Sequence, residues 1–154
     1  MLKAFTLAVL FSVVVMSAQC SATQNTGVST ALKTELEQGR SIFIVAIPPG
    51  TQKPPKETWF VYRDGAVYII AIATDPRARA IQAGNSQATV NVGTPDGSAL
   101  SATGVIVKDA KAYEPALKDF EKKYPEMWKE YGGVLRYNIG RGASVVIKYT
   151  PKNS

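Results

Sequence analysis

"TWFVYRDGAVYIIAIA", residues 58–73, decides the fold. Asp64-Gly65 separates two β-forming runs, and a tight hairpin favours that dipeptide because both central residues need positive φ. Neither arm alternates cleanly. Trp59, Phe60, Val61 and Tyr62 are all apolar or aromatic, and Ala66 to Ala73 carries no charge. A strand apolar on both faces is covered on both. One cover is a barrel interior; in a chain of 154 residues the other is expected to be a partner subunit.

The flanking sequence extends this pattern. Downstream, Asp75 suits an N-cap and Pro76 a first helical position. This predicts a helix to about Ala83, stopped by Gly84 and Asn85. "SQATVNVGT" (86–94) alternates, with Ala88, Val90 and Val92 on one face. "PDG" (95–97) is a turn. "SALSATGVIVKD" (98–109) is a long strand, with Gly104 read as a bulge or bend. Upstream, Ser29 or Thr30 caps a short helix to Gln38, ended by Gly39, and "RSIFIVAI" (40–47) is a strand. "PPGTQKPPKE" (48–57) holds four prolines and a glycine and reads as a stiff loop. Tyr113, Leu117, Phe120 and Tyr124 form one stripe of a helix over 112–124. Pro125 ends it, and "EMWKEY" adds one or two turns. "GVLRYNIG" (133–140) and "ASVVIKYT" (143–150) are read as a closing hairpin, with Val145, Ile147 and Tyr149 on one face. The class is mainly β: a barrel of six to seven antiparallel strands, Greek-key-like, with flanking helices.

The first 22 residues stand apart. Lys3, the apolar run Ala4 to Met16 and a small-residue region have the form of a secretory signal. The expected divisions are a signal at 1–22, an N-terminal segment with the short helix at 23–39, the barrel domain at 40–150 and a tail at 151–154. The expected location is secreted or periplasmic. Cys20, the single cysteine, would place the protein on a membrane if acylated, but Gln19 precedes it where a lipidation signal wants a small residue. An uncleaved anchor is the other alternative.

Composition removes whole classes of chemistry. The chain has no histidine, so His-based triads and His metal sites are excluded. Carboxylate-only metal sites stay open, although the acids of "KTELEQ" and "LKDFEKKYPE" read as solvated helix faces. The formal net charge of +6 is spread along the chain with no block of like charge. That argues for solubility or an anionic ligand rather than nucleic acid. "GGVLRYNIGRG" lacks phosphate-loop spacing.

Four segments, "KETWFVYRDGAVYI", "RARAIQAG", "ATVNVGTPDGSALSATGVIVKD" and "FEKKYPEMW", together resemble the pyridoxamine-phosphate-oxidase-like split β-barrels that bind flavin or deazaflavin. The resemblance covers about residues 38 to 150. It implies a homodimer with small-molecule sites at the subunit interface and FMN or a deazaflavin as cofactor. The ring would lie along the backbone of the strand holding Trp59, Phe60 and Val61. The phosphate would lie where the third strand gives way to the next helix, beside Thr74 and Arg77, with Arg79 two residues on. The 48–57 loop would border the substrate side, with Lys53 facing an anionic tail or simply solvent.

Elementary chemistry points the same way, because a helix start and a guanidinium both suit phosphate. Positions i and i+2 do not share a helix face, so Arg77 is favoured over Arg79. The bland alternative is a helix start with two solvated arginines. The chain also departs from the family. Ala71 and Asp75 stand where a Thr or Ser hydroxyl is common, and Ala80 stands where a second basic residue is common. A thinned phosphate site makes FMN less apt, and a deazaflavin or other planar ligand comparatively more so. Trp59, Phe60, Tyr62 and Tyr68 read first as core or interface, and Trp128 as packing for the long helix. Two functions follow: a small flavin- or deazaflavin-dependent oxidoreductase, or an exported non-catalytic binding module of the same fold. No catalytic side chain is assigned.

Overall fold

The computed structural model describes residues 28–46 and 55–152. The signal-like segment, Cys20 and residues 48–54 with Lys53 lie outside that range.

Among the described residues the elements follow one another as α1 (Thr30–Gln38), β1 (Ile42–Ala46), β2 (Glu57–Thr58), β3 (Val61–Arg63), β4 (Ala66–Ile72), α2 (Pro76–Gln82), β5 (Gln87–Val92), β6 (Ala99–Val107), α3 (Ala110–Lys123), α4 (Pro125–Gly140) and β7 (Ser144–Pro151). The strands form one antiparallel sheet ordered β2-β1-β5-β6-β7-β4-β3. The local signals read in the sequence hold where they are strongest. Asp64 and Gly65 both have positive φ, as the β3–β4 turn requires. Ser29 caps α1, and Asp75 caps α2 with Pro76 at its start. β5 buries Ala88, Val90 and Val92.

The first arm of that hairpin is not one strand. Glu57–Thr58 pairs with β1 at one edge of the sheet, and Val61–Arg63 pairs with β4 at the other. Only Trp59 and Phe60 lie between them, so the sheet curls until its two edges almost meet, and the barrel is split there. Alternation continues through the break. The Phe60 ring joins the inner core with Ile42, Val67, Ile69, Val90 and Tyr149, and Val61 joins an outer core with Tyr68, Leu117, Phe120 and Trp128.

Tyr124, the last position of the predicted stripe, holds the break together. Its hydroxyl accepts from the Phe60 N–H at 3.2 Å. Its own proton serves the carbonyl of Arg40 at 2.7 Å or that of Phe60 at 2.9 Å. An edge-strand backbone that would otherwise lie buried and unpaired is thereby satisfied.

Three expectations are corrected. The segment "GVLRYNIG" is helical: α4 runs unbroken from Pro125 to Gly140, and β7 stands alone between β4 and β6. Trp128, Gly132, Leu135 and Ile139 recur at helical spacing and turn inward. Gly132 is there because a Cβ would meet the Trp128 indole at 2.8 Å. Gly104 is not a bulge, since the β6–β7 register runs through it without a slip. It makes room for the Tyr149 ring, which an added Cβ would approach to 2.7 Å. Finally, the outer face of β4 at Ala66 and Tyr68 is covered by α3 and α4 of the same chain. A partner is not needed there; the uncovered part of the strand is at Ile72, which is exposed.

Replacing Tyr124 by Phe keeps the ring packing and strands the Phe60 N–H, so it is expected to cost about 1–3 kcal/mol of folding stability, measured by urea denaturation.

Candidate functional site

A groove of about 570 Å³ opens beside the split. Its floor and walls come from Thr58 and Trp59 at the break, Ile70 of β4, Phe120 of α3, and Met127, Tyr131, Val134 and Leu135 of α4. Glu57 and Arg77 supply its charged side chains. Trp59, Tyr131 and Val134 each expose about half of their surface into this region (50%, 47% and 58%). Such a mostly apolar lining with few polar groups is how small-molecule sites are built. The Trp59 ring is fixed by stacking on Tyr124, with centroids 5.9 Å apart, and Tyr124 stacks in turn on Phe120 at 6.0 Å.

Arg77 reaches the groove from the first turn of α2. Its Nε and Nη2 donate to the two carboxylate oxygens of Asp75, each at 2.9 Å. Nη1 donates to the Thr58 hydroxyl at 2.8 Å. The Arg77 N–H also donates to Asp75 Oδ1, at 2.8 Å. The sequence offered Asp75 as an N-cap and Arg77 as a phosphate ligand; folding makes them a two-pronged ion pair. Both are more than four-fifths buried. Burial pushes the Asp75 carboxyl up, but the Arg77 hydrogen bonds and charge outweigh it and hold it below its ordinary value. Burial likewise lowers Arg77, and Asp75 more than restores it.

The helix start itself is also partly occupied. Pro76 has no N–H, that of Arg77 goes to Asp75 Oδ1, and that of Arg79 to the Asp75 carbonyl at 3.0 Å. Of the free donors that a capped helix start was expected to present, Asp75 takes the Arg77 N–H.

The other predicted positions are spread out. Phe60 is fully buried within the barrel, and Val61 is buried on the outer side, so neither ring nor side chain lines the groove. Thr74 and Arg79 are exposed. Arg79 and Arg77 take separate directions, as their spacing requires. Of the six residues singled out in the sequence, Trp59 and Arg77 come together here. Thr58, Ile70 and the α4 residues were missed. The helical spacing of Met127, Tyr131, Val134 and Leu135 carried that signal.

A second, smaller cleft lies across the break, lined by Glu37, Val61, Tyr62, Asp119, Lys122 and Lys123. Lys123 sits with Nζ 3.7 Å from the centre of the Phe60 ring. Burial, and then the charge of Arg40, push its ammonium down to about 8. The ring face offsets part of the lost hydration. Among the described residues no group of His, Cys, Asp and Glu is placed to hold a metal, and no helix is long and apolar enough to cross a membrane.

No family model and no curated protein matches the sequence. Solved structures do match its shape. A putative pyridoxamine 5'-phosphate oxidase from Listeria innocua superposes with a TM-score of 0.54 at 15% identity, over 79% of this chain and 90% of its own. The heme storage protein of Vibrio cholerae gives 0.60 at 9% identity, over 83% and 92%. An FAD-binding protein of Mesorhizobium loti gives 0.52 at 12%, over 81% and 91%. The fold is therefore the split β-barrel of the pyridoxamine-phosphate-oxidase-like proteins.

Lys123 gives folding stability a distinctive pH dependence. Between about 8 and its ordinary 10.5 the unfolded chain binds a proton that the folded one does not, so stability rises with pH. Tyr149, which burial pushes up to about 12, reverses the trend above about 10, where only the unfolded phenol ionises. Denaturation curves at about pH 7.5 and 9.5 are expected to show higher stability at the upper value, and Lys123→Met should flatten the difference.

Proposed function

We propose that this protein binds the planar ring of a flavin-type ligand in the groove between Trp59 and α4, at the interface of two copies, and works as a small oxidoreductase. The observation that carries this is the groove itself: an aromatic and aliphatic slot, held open by the Trp59–Tyr124–Phe120 stack, in a fold whose solved relatives include a protein described as FAD-binding. Its volume falls within the usual range for ligands of that size. A bound ring of this kind would supply the hydride or electron chemistry. The chain's own part is to orient it. Trp59 offers a face for stacking, Tyr131 and Val134 a second wall, and Ile70 and Leu135 a dry floor.

The ring fits; a phosphate tail does not. The guanidinium that would hold it is already paired with a carboxylate. Trp59, Tyr131 and Val134 are half exposed in one chain, and a second copy closing over them would exclude water from the ring. The signal-like leader, outside the described residues, sends this activity out of the cytosol.

The alternative is a non-catalytic module that only holds its ligand. Glu57 and Tyr131, the acid- or base-capable side chains lining the groove beside Arg77, are both exposed, and that favours it.

Riboflavin is expected to bind, read by quenching of its own fluorescence, and Trp59→Ala to weaken binding by at least about tenfold. Absence of any binding rules out the ring-binding reading. A ring that binds but is not reduced by nicotinamide donors assigns the binding module. In sedimentation, the chain is expected to run as a dimer at micromolar concentration; a monomer would overturn the interface.

A further inference from the structure

We propose that Asp75 acts as a built-in anion in the place where a phosphorylated ligand would put its phosphate, so that the groove selects planar ligands carrying no phosphate. The inference rests on the ring-binding reading above and names the substrate class within it.

Three donors converge on this one carboxylate. They are Arg77 Nε, Arg77 Nη2 and the Arg77 backbone N–H, at 2.9, 2.9 and 2.8 Å. A guanidinium fork is the group that would otherwise greet a phosphate. Of the five N–H donors of the guanidinium, Asp75 takes two and Thr58 a third. The Thr58 hydroxyl is itself committed, donating to the Lys56 carbonyl at 3.0 Å.

Charge tells the same story. Arg77 and Lys56 are the cations acting on Asp75. Asp75 offsets one of them, and Glu57 brings a second carboxylate to the groove wall. The site is locally neutral. A phosphate arriving there would face a carboxylate already seated, in a partly desolvated spot where like charges repel strongly. To displace it the ligand would have to leave Asp75 buried without its partner, which is costly. A neutral ring meets no such obstacle, because the apolar walls do not involve Asp75.

The specificity-determining residue is therefore Asp75, and Asp75→Asn is the test. The substitution keeps the side chain's size and an oxygen for the helix cap but removes the charge that occupies Arg77. Two titrations are made on wild type and variant. In the first, inorganic phosphate is added without any flavin while the Arg77 Nε resonance is followed by NMR. Wild type is expected to show no saturable shift, and the variant a saturable one. In the second, riboflavin is compared with riboflavin 5'-phosphate. Wild type is expected to bind the two within about threefold, and the variant to favour the phosphate by at least about tenfold.

A wild-type preference for the phosphorylated flavin that Arg77→Gln abolishes would overturn the proposal while leaving ring binding intact. If neither flavin binds wild type, the ring reading fails, and the phosphate titration still decides the role of Asp75. A variant as indifferent to phosphate as wild type overturns it. Asp75→Ser, which retains a capping hydroxyl, takes the variant's place in both titrations if Asp75→Asn does not fold.

Discussion

The structure depends on one hydroxyl. A curled sheet has two edges, and edge backbone that is buried must find partners. Here the edges are β2 and β3, separated by Trp59 and Phe60 alone. Among the described residues no strand closes the gap. The phenol of Tyr124 does so from the end of α3, bonding to Phe60 on one side and Arg40 on the other. Burial raises its pKa, with the Phe60 hydrogen bond and the Arg40 charge opposing, so it stays a protonated phenol that can both donate and accept.

Much follows from that closure. Because Phe60 turns inward, Trp59 and Val61 must turn outward. Val61 is absorbed by the outer core, but Trp59 has only the ring of Tyr124 behind it and remains half exposed. The split that breaks the strand therefore creates the aromatic wall of the groove. The same closure seats Lys123 on the Phe60 ring at the other side, where Arg63 ties the β3–β4 hairpin to Asp119 of α3 at 2.8 Å. Helix α4 then completes the groove, held against α3 by Arg136 and Glu114.

What was legible in the sequence is what short-range chemistry dictates. The Asp64-Gly65 turn, the Ser29 and Asp75 caps and the alternation of β5 each depend on a few neighbouring residues. The break at Trp59–Phe60 left no mark because every residue across it is apolar or aromatic, and only pairing with distant strands divides them. The last hairpin was misread for a related reason. "GGVLRYNIG" combines β-branched and aromatic residues with three glycines, all poor helix formers. Packing of Trp128, Gly132, Leu135 and Ile139 on the sheet outweighs that preference. The partner-facing reading of β4 failed at Ala66 and Tyr68 once α4 was long enough to cover them. Arg77 was found, but its pairing was hidden. Residues two apart do not meet on a helix, yet Asp75 is a cap with extended backbone and can fold back over the first turn.

That last geometry changes what the site is for. At a phosphate site a helix start and an arginine are left for the ligand to complete, and the ligand then stabilises the fold that binds it. Here Asp75 meets part of both in advance, with one helix-start N–H and two of the five guanidinium donors already bound to it. It caps α2, complements the dipole of a seven-residue helix and neutralises a guanidinium that burial would otherwise penalise. The stability that a phosphate would have contributed is already internal to the chain, so α2 does not wait on a ligand to be ordered. An internal anion cannot be shared: whatever it gives the folded state it withholds from a competing phosphate. On the reading proposed above, what is left for recognising a ligand is the face of Trp59 and the apolar walls of β4 and α4.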